Sequence, residues 1–167
     1  MFNELKTQDT SLFARWMVLA ALVVAIDRLS KLAIVGAMRF GEAREITSFF
    51  NLVLIYNRGA AFSFLSDASG WQRAFFIAIA VIASAIIVAL LWRHRRQNLF
   101  CLGLALILGG ALGNVWDRIQ LGYVLDFLDF HALGYHWPAF NAADSSITCG
   151  AALLILESFR PTGKSKS

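Results

Sequence analysis

Two carboxylates occupy positions that an apolar chain rarely gives to charged groups. Asp126 lies within the segment 122–127, and Asp144 lies within 140–145, directly before the last apolar stretch. A carboxylate at the edge of a hydrocarbon layer is costly and usually marks function. Two carboxylates that share a site split their titration, so that one holds a proton while the other is ionised. Such a pair can activate water and protonate a leaving amine, which is the chemistry of acid–base hydrolysis.

Each aspartate also has a purely structural interpretation. Asn141 stands three residues before Asp144, which matches a capping box at the start of a helix. A carboxylate there stabilises a helix by ~0.3–1 kcal/mol, and the same dipole favours the ionised form that a general base needs. Asp126 could be a polar loop residue at the membrane interface, although apolar neighbours such as Leu125 and Phe127 would raise its pKa. The residues alone leave open whether the two side chains meet.

The composition is that of a membrane protein, and we expect one domain over residues 1–167. Of the 167 residues 58% are hydrophobic and 16% are charged, with a mean hydropathy of +0.62. That is too apolar for an ordinary soluble domain. A helix needs ~20 residues to cross the hydrocarbon core, with ~17–25 tolerated. Four stretches meet this length and are predicted spans: 12–38, 74–92, 99–115 and 142–159.

Basic residues flank these spans on one side of a four-span arrangement. They precede the first span, join the second to the third at 93–96, and follow the fourth. Because short flanks rich in Lys and Arg stay in the cytoplasm, both termini are predicted inside. The opposite, outer side carries the segment 44–65, which is rich in Phe, Val, Ile and Tyr and favours strands. The predicted fold is an all-α membrane protein with four transmembrane helices and a small extramembrane β-element on the outer, periplasmic side.

This topology brings several polar residues to the outer boundary of the membrane, beside Asp126 and Asp144. They are Asp27, Asn114, Asp117 and Asn141. Arg118 could pair with a carboxylate or a lipid phosphate. Simpler roles exist: Asp27 and Lys31, four apart, can neutralise each other on a helix. Convergence of so many polar groups at one depth nevertheless favours a functional site.

Other chemistries have little support in the sequence. The three histidines are scattered without an HExxH pattern, and Cys101 and Cys149 lack zinc-type spacing. We therefore expect no metal and no cofactor. The net charge of +4 is modest, and no basic patch interleaved with aromatic residues predicts nucleic-acid binding. Gly109 and Gly113 have the four-residue spacing that lets membrane helices approach closely.

Several segments resemble the sequence blocks of bacterial lipoprotein signal peptidase (signal peptidase II), and they follow one another in that family's order. The resemblance covers about residues 16 to 159, nearly the whole chain. The last two blocks together are highly specific, whereas the first alone would be weak. The blocks are Asp27–Lys31, Asn57–Phe62, Gly109–Ile119, Val124–Phe127 and Phe140–Ser145.

The resemblance implies a four-span aspartyl endopeptidase of the bacterial inner membrane. Enzymes of that family remove the signal peptide of a diacylglyceryl-modified prolipoprotein, cutting just before the lipidated cysteine by water-mediated hydrolysis. Their catalytic pair corresponds to Asp126 and Asp144. Partners would be the prolipoprotein and membrane lipids, and we expect a monomer. Supporting or substrate-binding positions would be Asn57, Asn114, Asp117, Arg118 and Asn141, with Asp27 structural or supporting.

Two other classes stay open on the residues alone. A small proton-coupled transporter or channel subunit also uses intramembrane carboxylates, as proton relays. A relay should carry polar groups through the membrane, however, and the second and third spans contain no charge. In a non-enzymatic scaffold, the glycines would serve packing and the aspartates would cap helices. A presenilin-type protease fits less well because its Tyr-Asp and Gly-x-Gly-Asp motifs do not occur.

Overall fold

The computed structural model describes residues 2–59 and 71–160. In that part of the chain, the structure consists of helices and a small antiparallel sheet. The helices are α1 (Phe2–Ala37), α2 (Trp71–Arg93), α3 (Asn98–Gln120) and α4 (Ala142–Ser158). The strands are β1 (Ala43–Thr47), β2 (Phe50–Asn57), β3 (Val124–Ala132) and β4 (Tyr135–His136), and they pair in the order β1-β2-β3-β4.

Each predicted apolar stretch falls on a helix, and α1 and α3 extend furthest beyond the predicted bounds. α1 begins at Phe2 rather than near residue 12, and α3 continues to Gln120 rather than ending near residue 115. The extension of α3 matters because Asn114 and Asp117, three apart, then share one helical face. Both side chains are buried. Asn114 and Asp117 therefore lie on the inward face of α3, which continues past them to Gln120.

Of the helices in the described ranges, α2 and α3 are long and apolar enough to cross a membrane. α1 carries Asp27, Arg28 and Lys31 within its apolar region, and α4 has only 17 residues. On α2, Ile82 and Ile86 are more than half exposed. Large exposed apolar surfaces of this kind mark contact with a membrane or a partner.

α3 is the central helix, and its glycines allow α1 and α4 to lie against it. A Cβ built on Gly109 would stand 2.5 Å from Cβ of Val23 on α1. A Cβ on Gly110 would stand 2.4 Å from the carbonyl oxygen of Ala143 on α4. These are shorter than any ordinary van der Waals contact. The predicted close helix approach at Gly109 is confirmed. The contacts at Gly109 and Gly110 hold α1, near Val23, and the start of α4 against α3.

The predicted β-element over 44–65 is confirmed as β1 and β2 up to Asn57, while positions 60–65 lie outside the described residues. The alternative that Asp126 is a loop residue is wrong, because Asp126 lies in β3 and pairs opposite Ile55 of β2. Val124–Ala132 is β-favouring, but its aspartates interrupt the alternation of apolar and polar residues that identifies a strand. Its pairing partner is also distant in the chain.

Filling the closest helix contact should destabilise the protein. Gly110→Ala would drive a methyl group into the carbonyl of Ala143, and overpacking of this kind costs about 1–3 kcal/mol. Gly36→Ala is the matched control, because a Cβ there meets nothing within 4 Å. We expect a lower thermal unfolding midpoint in detergent for Gly110→Ala and an unchanged or slightly higher one for Gly36→Ala. Equal midpoints for the two variants would contradict the packing described for α3 and α4.

Candidate active site

Asp126 is buried between two asparagine side chains. Strand pairing places Asn57 near it, so that Nδ2 of Asn57 donates to Oδ2 of Asp126 at 2.9 Å. Nδ2 of Asn141 donates to Oδ1 at 2.7 Å. The residue is only 2% exposed. Burial raises the pKa of Asp126 from 3.8 to about 6, since the two amide donors only partly offset the loss of water, and the charge of Asp144 raises it further. Asp126 can therefore hold a proton close to neutral pH.

Asp144 lies in the first turn of α4, where Asn141 is the N-cap. Oδ1 of Asn141 accepts the Asp144 N–H at 2.9 Å, and Oδ2 of Asp144 accepts the Asn141 N–H at 3.3 Å. The predicted capping box is thus confirmed. Oδ1 of Asp144 also accepts from Nδ2 of Asn114 at 2.7 Å. Both carboxylate oxygens of Asp144 therefore accept hydrogen bonds at the N-terminus of α4.

Asn141 connects the two carboxylates. Its side chain is fully buried, and Nδ2 reaches Asp126, the carbonyl of Leu125 at 3.2 Å and Oδ1 of Asn114 at 3.3 Å. Its other polar groups hold Asp144 through the capping box. One residue therefore bonds to both aspartates, and the question that the sequence left open is answered: they belong to one hydrogen-bond network.

A buried ion cluster lies behind this network. Lys31 Nζ contacts Oδ2 of Asp27 at 2.8 Å and Oδ2 of Asp117 at 2.7 Å, and Arg28 pairs with the other oxygen of Asp117. Asp27 also accepts the N–H of Ala143 at 3.0 Å, at the start of α4. Asp117 accepts the N–H of Leu125, next to Asp126, at 3.3 Å. The structure thus places Asp27 and Asp117 as braces for the elements that carry the two aspartates.

Sequence reasoning missed Lys31 and Arg28 as members of the site. Lys31 was assigned to a simple helical pair with Asp27, which the structure does contain. Its other partners, Asp117 and Asn114, are on α3 and far away in sequence. Only the block Asp27–Lys31 of the family resemblance carried a signal for both basic residues.

The two aspartates open onto one cavity of about 1270 Å³. Asn57, Asn114 and Arg118 also line it, and Arg118 lies within electrostatic reach of Asp126 and Asp144. The other lining residues are largely apolar. They include Trp137 to Phe140, and Ile147 to Cys149 on α4. Within the described residues, no group of three His, Cys, Asp or Glu side chains is placed to hold a metal ion. An apolar helical bundle with a carboxylate pair in a cavity has the parts of a membrane aspartic hydrolase.

Comparisons with known proteins agree with this class. A family model for signal peptidase (SPase) II matches residues 19–160. The chain is 57% identical to a lipoprotein signal peptidase of Cupriavidus necator over 145 residues, or 87% of this chain and 83% of the relative. It is 55% identical to that of Burkholderia multivorans over 160 residues, or 96% of each. A solved bacterial membrane enzyme superposes with a TM-score of 0.80 at 33% identity, covering 92% of this chain and 93% of the other.

The chain belongs to the signal peptidase II family. It is a membrane aspartic endopeptidase that removes signal peptides from prolipoproteins. The resemblance identified from the sequence blocks is confirmed, and a peptidase is chosen over the transporter, channel and scaffold interpretations.

The raised pKa of Asp126 predicts a measurable dependence of stability on pH. The folded value is about 6 against 3.8 for the unfolded chain, so the carboxyl favours folding below 3.8 and loses that contribution as pH rises to about 6. The loss amounts to about 2–3 kcal/mol. Asp126→Asn removes this pH-dependent contribution to the free energy of unfolding. We expect the unfolding midpoint of Asp126→Asn, relative to wild type, to rise between pH 4 and pH 7 in detergent.

Asp129→Asn is the matched control on the same strand. Burial acts to raise the pKa of Asp129, but hydrogen bonds from His136 and Asn51 outweigh it and lower the pKa. This carboxyl therefore contributes stability above the unfolded pKa and loses it in acid, so the control should show the opposite trend. Parallel pH curves for wild type and Asp126→Asn would contradict the raised pKa.

Proposed function

We propose that Asp126 and Asp144 are the catalytic dyad of this peptidase. The pair would hydrolyse the peptide bond just before the lipidated cysteine of a diacylglyceryl-prolipoprotein. The observation that carries the proposal is Asn141, which bonds to both carboxylates at once. Helix capping alone would account for Asp144. It would not account for Asp126, a second buried carboxyl with a pKa near 6 that bonds to the same Asn141 amide and lines the same cavity.

The proposed reaction uses one proton held by the pair. Asp144, which accepts donors on both oxygens, takes a proton from water as its oxygen attacks the scissile carbonyl carbon. Asp126, protonated, donates to the carbonyl oxygen. Collapse of the tetrahedral intermediate breaks the C–N bond: one of its hydroxyl groups returns a proton to Asp126 as the carbonyl re-forms, and the leaving amine of the cysteine takes the proton from Asp144. Because the proton belongs to the pair as a whole, these roles describe the arrangement in which Asp126 carries it.

The surrounding polar residues would hold the dyad and the substrate in register. Asn57 and Asn141 orient Asp126, and Asn114 orients Asp144. Arg118 lines the cavity, and its guanidinium could bind a substrate carbonyl or glyceryl ester oxygen.

We further propose that all four helices cross the inner membrane, in a single domain with both termini in the cytoplasm. Asp9 on α1 bonds to Arg95 at 2.5 Å, and Arg15 bonds to Asn98 at 2.9 Å, so the start of α1 and the basic α2–α3 connection share one end. The dyad lies at the other end, where Asp27 meets α4. Basic residues at the first end favour the cytoplasm, which puts the dyad near the outer face.

Exposed side chains on α1 support its contact with lipid. Apolar residues at helical spacing form one outward stripe, each more than half exposed: Val18, Leu22, Ile26, Leu29 and Leu32. Asp27 and Lys31 of α1 are buried, as expected of intramembrane charges, which must be paired. The apolar cavity wall would let the substrate's acyl chains stay in the bilayer during cleavage. We propose that the enzyme acts as a monomer with membrane lipids as its surroundings.

Removing either carboxylate should abolish cleavage. In proteoliposomes supplied with a diacylglyceryl-prolipoprotein, Asp126→Asn and Asp144→Asn should each lower kcat by at least about 10³-fold, because proton transfer contributes ~10²–10⁴ and the two groups act as a unit. Asp129→Asn is the control, since Asp129 bonds to Asn51 and His136 instead of the dyad asparagines. It should stay within about tenfold of wild type. Unchanged cleavage in either dyad variant would refute the assignment.

A further inference from the structure

The Lys31 ammonium is saturated by buried acceptors. Its side chain is 0% exposed, and an ammonium has three N–H donors and no acceptor. The donors meet Oδ2 of Asp27 at 2.8 Å, Oδ2 of Asp117 at 2.7 Å and Oδ1 of Asn114 at 3.2 Å. The third contact joins the ion cluster to the dyad.

That contact fixes which way the Asn114 amide points. Since Lys31 can only donate, the Asn114 atom that faces it must be the carbonyl oxygen. The NH2 group then faces Oδ1 of Asp144, at 2.7 Å. A flipped amide would set NH2 against the ammonium and carbonyl oxygen against carboxylate, which are both repulsive arrangements.

The same polarity passes to Asn141. Oδ1 of Asn114 also accepts from Nδ2 of Asn141 at 3.3 Å, so the NH2 of Asn141 is directed at this oxygen and at Asp126. Oδ1 of Asn141 is left to accept the Asp144 N–H. One buried cation thereby orients two amides, and each of them presents a donor to a carboxylate.

We propose that Lys31 is a positioning residue of the peptidase, which locks the Asn114 amide so that its NH2 holds Asp144 as the ionised base. Lys31 touches neither the cavity nor the dyad. The inference rests on the proposed dyad and adds a residue that contacts it through Asn114, while its charge also lowers the pKa of Asp126.

Charge neutralisation alone would not single out Lys31. Asp27 of its own helix and Asp117 of α3 face it, and Arg28 also neutralises Asp117. Among the described contacts, however, only Lys31 of these two cations reaches Asn114. Arg28→Gln is therefore the matched control, because it removes a cation from Asp117 without freeing the Asn114 amide.

Asp144 itself faces two further charged groups, which stay in place in every variant of the test. Asp126 lies on β3, and Arg118 lies on α3, on the cavity side. The charge of Lys31 lowers the pKa of Asp126, whose proton governs the basic limb of the profile, so a shift of the acidic limb reports on the Asn114 contact with the base.

The test is the pH profile of kcat for prolipoprotein cleavage. In Lys31→Met the amide is free to turn, so the Asp144 carboxylate loses the hydrogen bond that Asn114 donates to it. The acidic limb should move up by about one pH unit, with kcat at pH 7 down about tenfold and KM little changed. Lys31→Arg, which also carries only donors, should keep the limb. Arg28→Gln should lower the unfolding midpoint but leave the limb in place.

A charge-balanced variant guards against misfolding. Lys31→Met leaves the buried Asp27 without a cation and Asp117 with Arg28 alone, which is strongly destabilising. Asp27→Asn combined with Lys31→Met keeps the charge balance, and its acidic limb should still move up. An unmoved limb in that double variant, or an equal shift in Arg28→Gln, would overturn the positioning role. Cleavage surviving in Asp144→Asn would instead overturn the dyad, so the two failures are distinguishable.

Discussion

Burial of charge in an apolar bundle is the constraint on which the rest of this structure depends. Taking an ion out of water costs several kcal/mol unless partners surround it, so the charges on α1 must meet charges on other elements. Lys31 does this by joining Asp27 to Asp117, and Asp27 and Asp117 in turn accept N–H groups at the start of α4 and on β3. The ion cluster therefore helps to fix the positions of the two carboxylates of the proposed active site.

Close helix packing is what makes that cluster possible. Gly113 on α3 leaves room for Asp27, since a Cβ there would lie 2.7 Å from its Oδ2. Gly110 does the same for the first turn of α4. In return, the protein carries a buried carboxyl at Asp126 whose raised pKa opposes folding near neutral pH. Stability lost at a site that needs an unusual pKa is a common trade-off in enzymes.

Local patterns predicted much of this from sequence. Four apolar stretches located the helices, and the Asn141–Asp144 spacing located a capping box, because both depend on neighbours within a few residues. The pairing of β2 with β3 and the reach of Lys31 to Asn114 were not predictable, because they join residues far apart in the chain. The family resemblance indicated which residues matter. It gave Asp27 and Asp117 supporting roles, but it could not indicate that they accept the N–H groups of Ala143 and Leu125.

The central proposal is that Asp126 and Asp144 act as one pair in which Asp126 holds the proton near neutral pH. Infrared titration of aspartate carboxyl groups labelled with 13C, in the purified enzyme, tests this most directly. The account predicts a carboxyl that titrates near pH 6, disappears in Asp126→Asn and moves to lower pH in Asp144→Asn, because the charge of Asp144 raises the pKa of Asp126. The account would be contradicted if a carboxyl that titrates near pH 6 remained in Asp126→Asn, or if its titration did not change in Asp144→Asn.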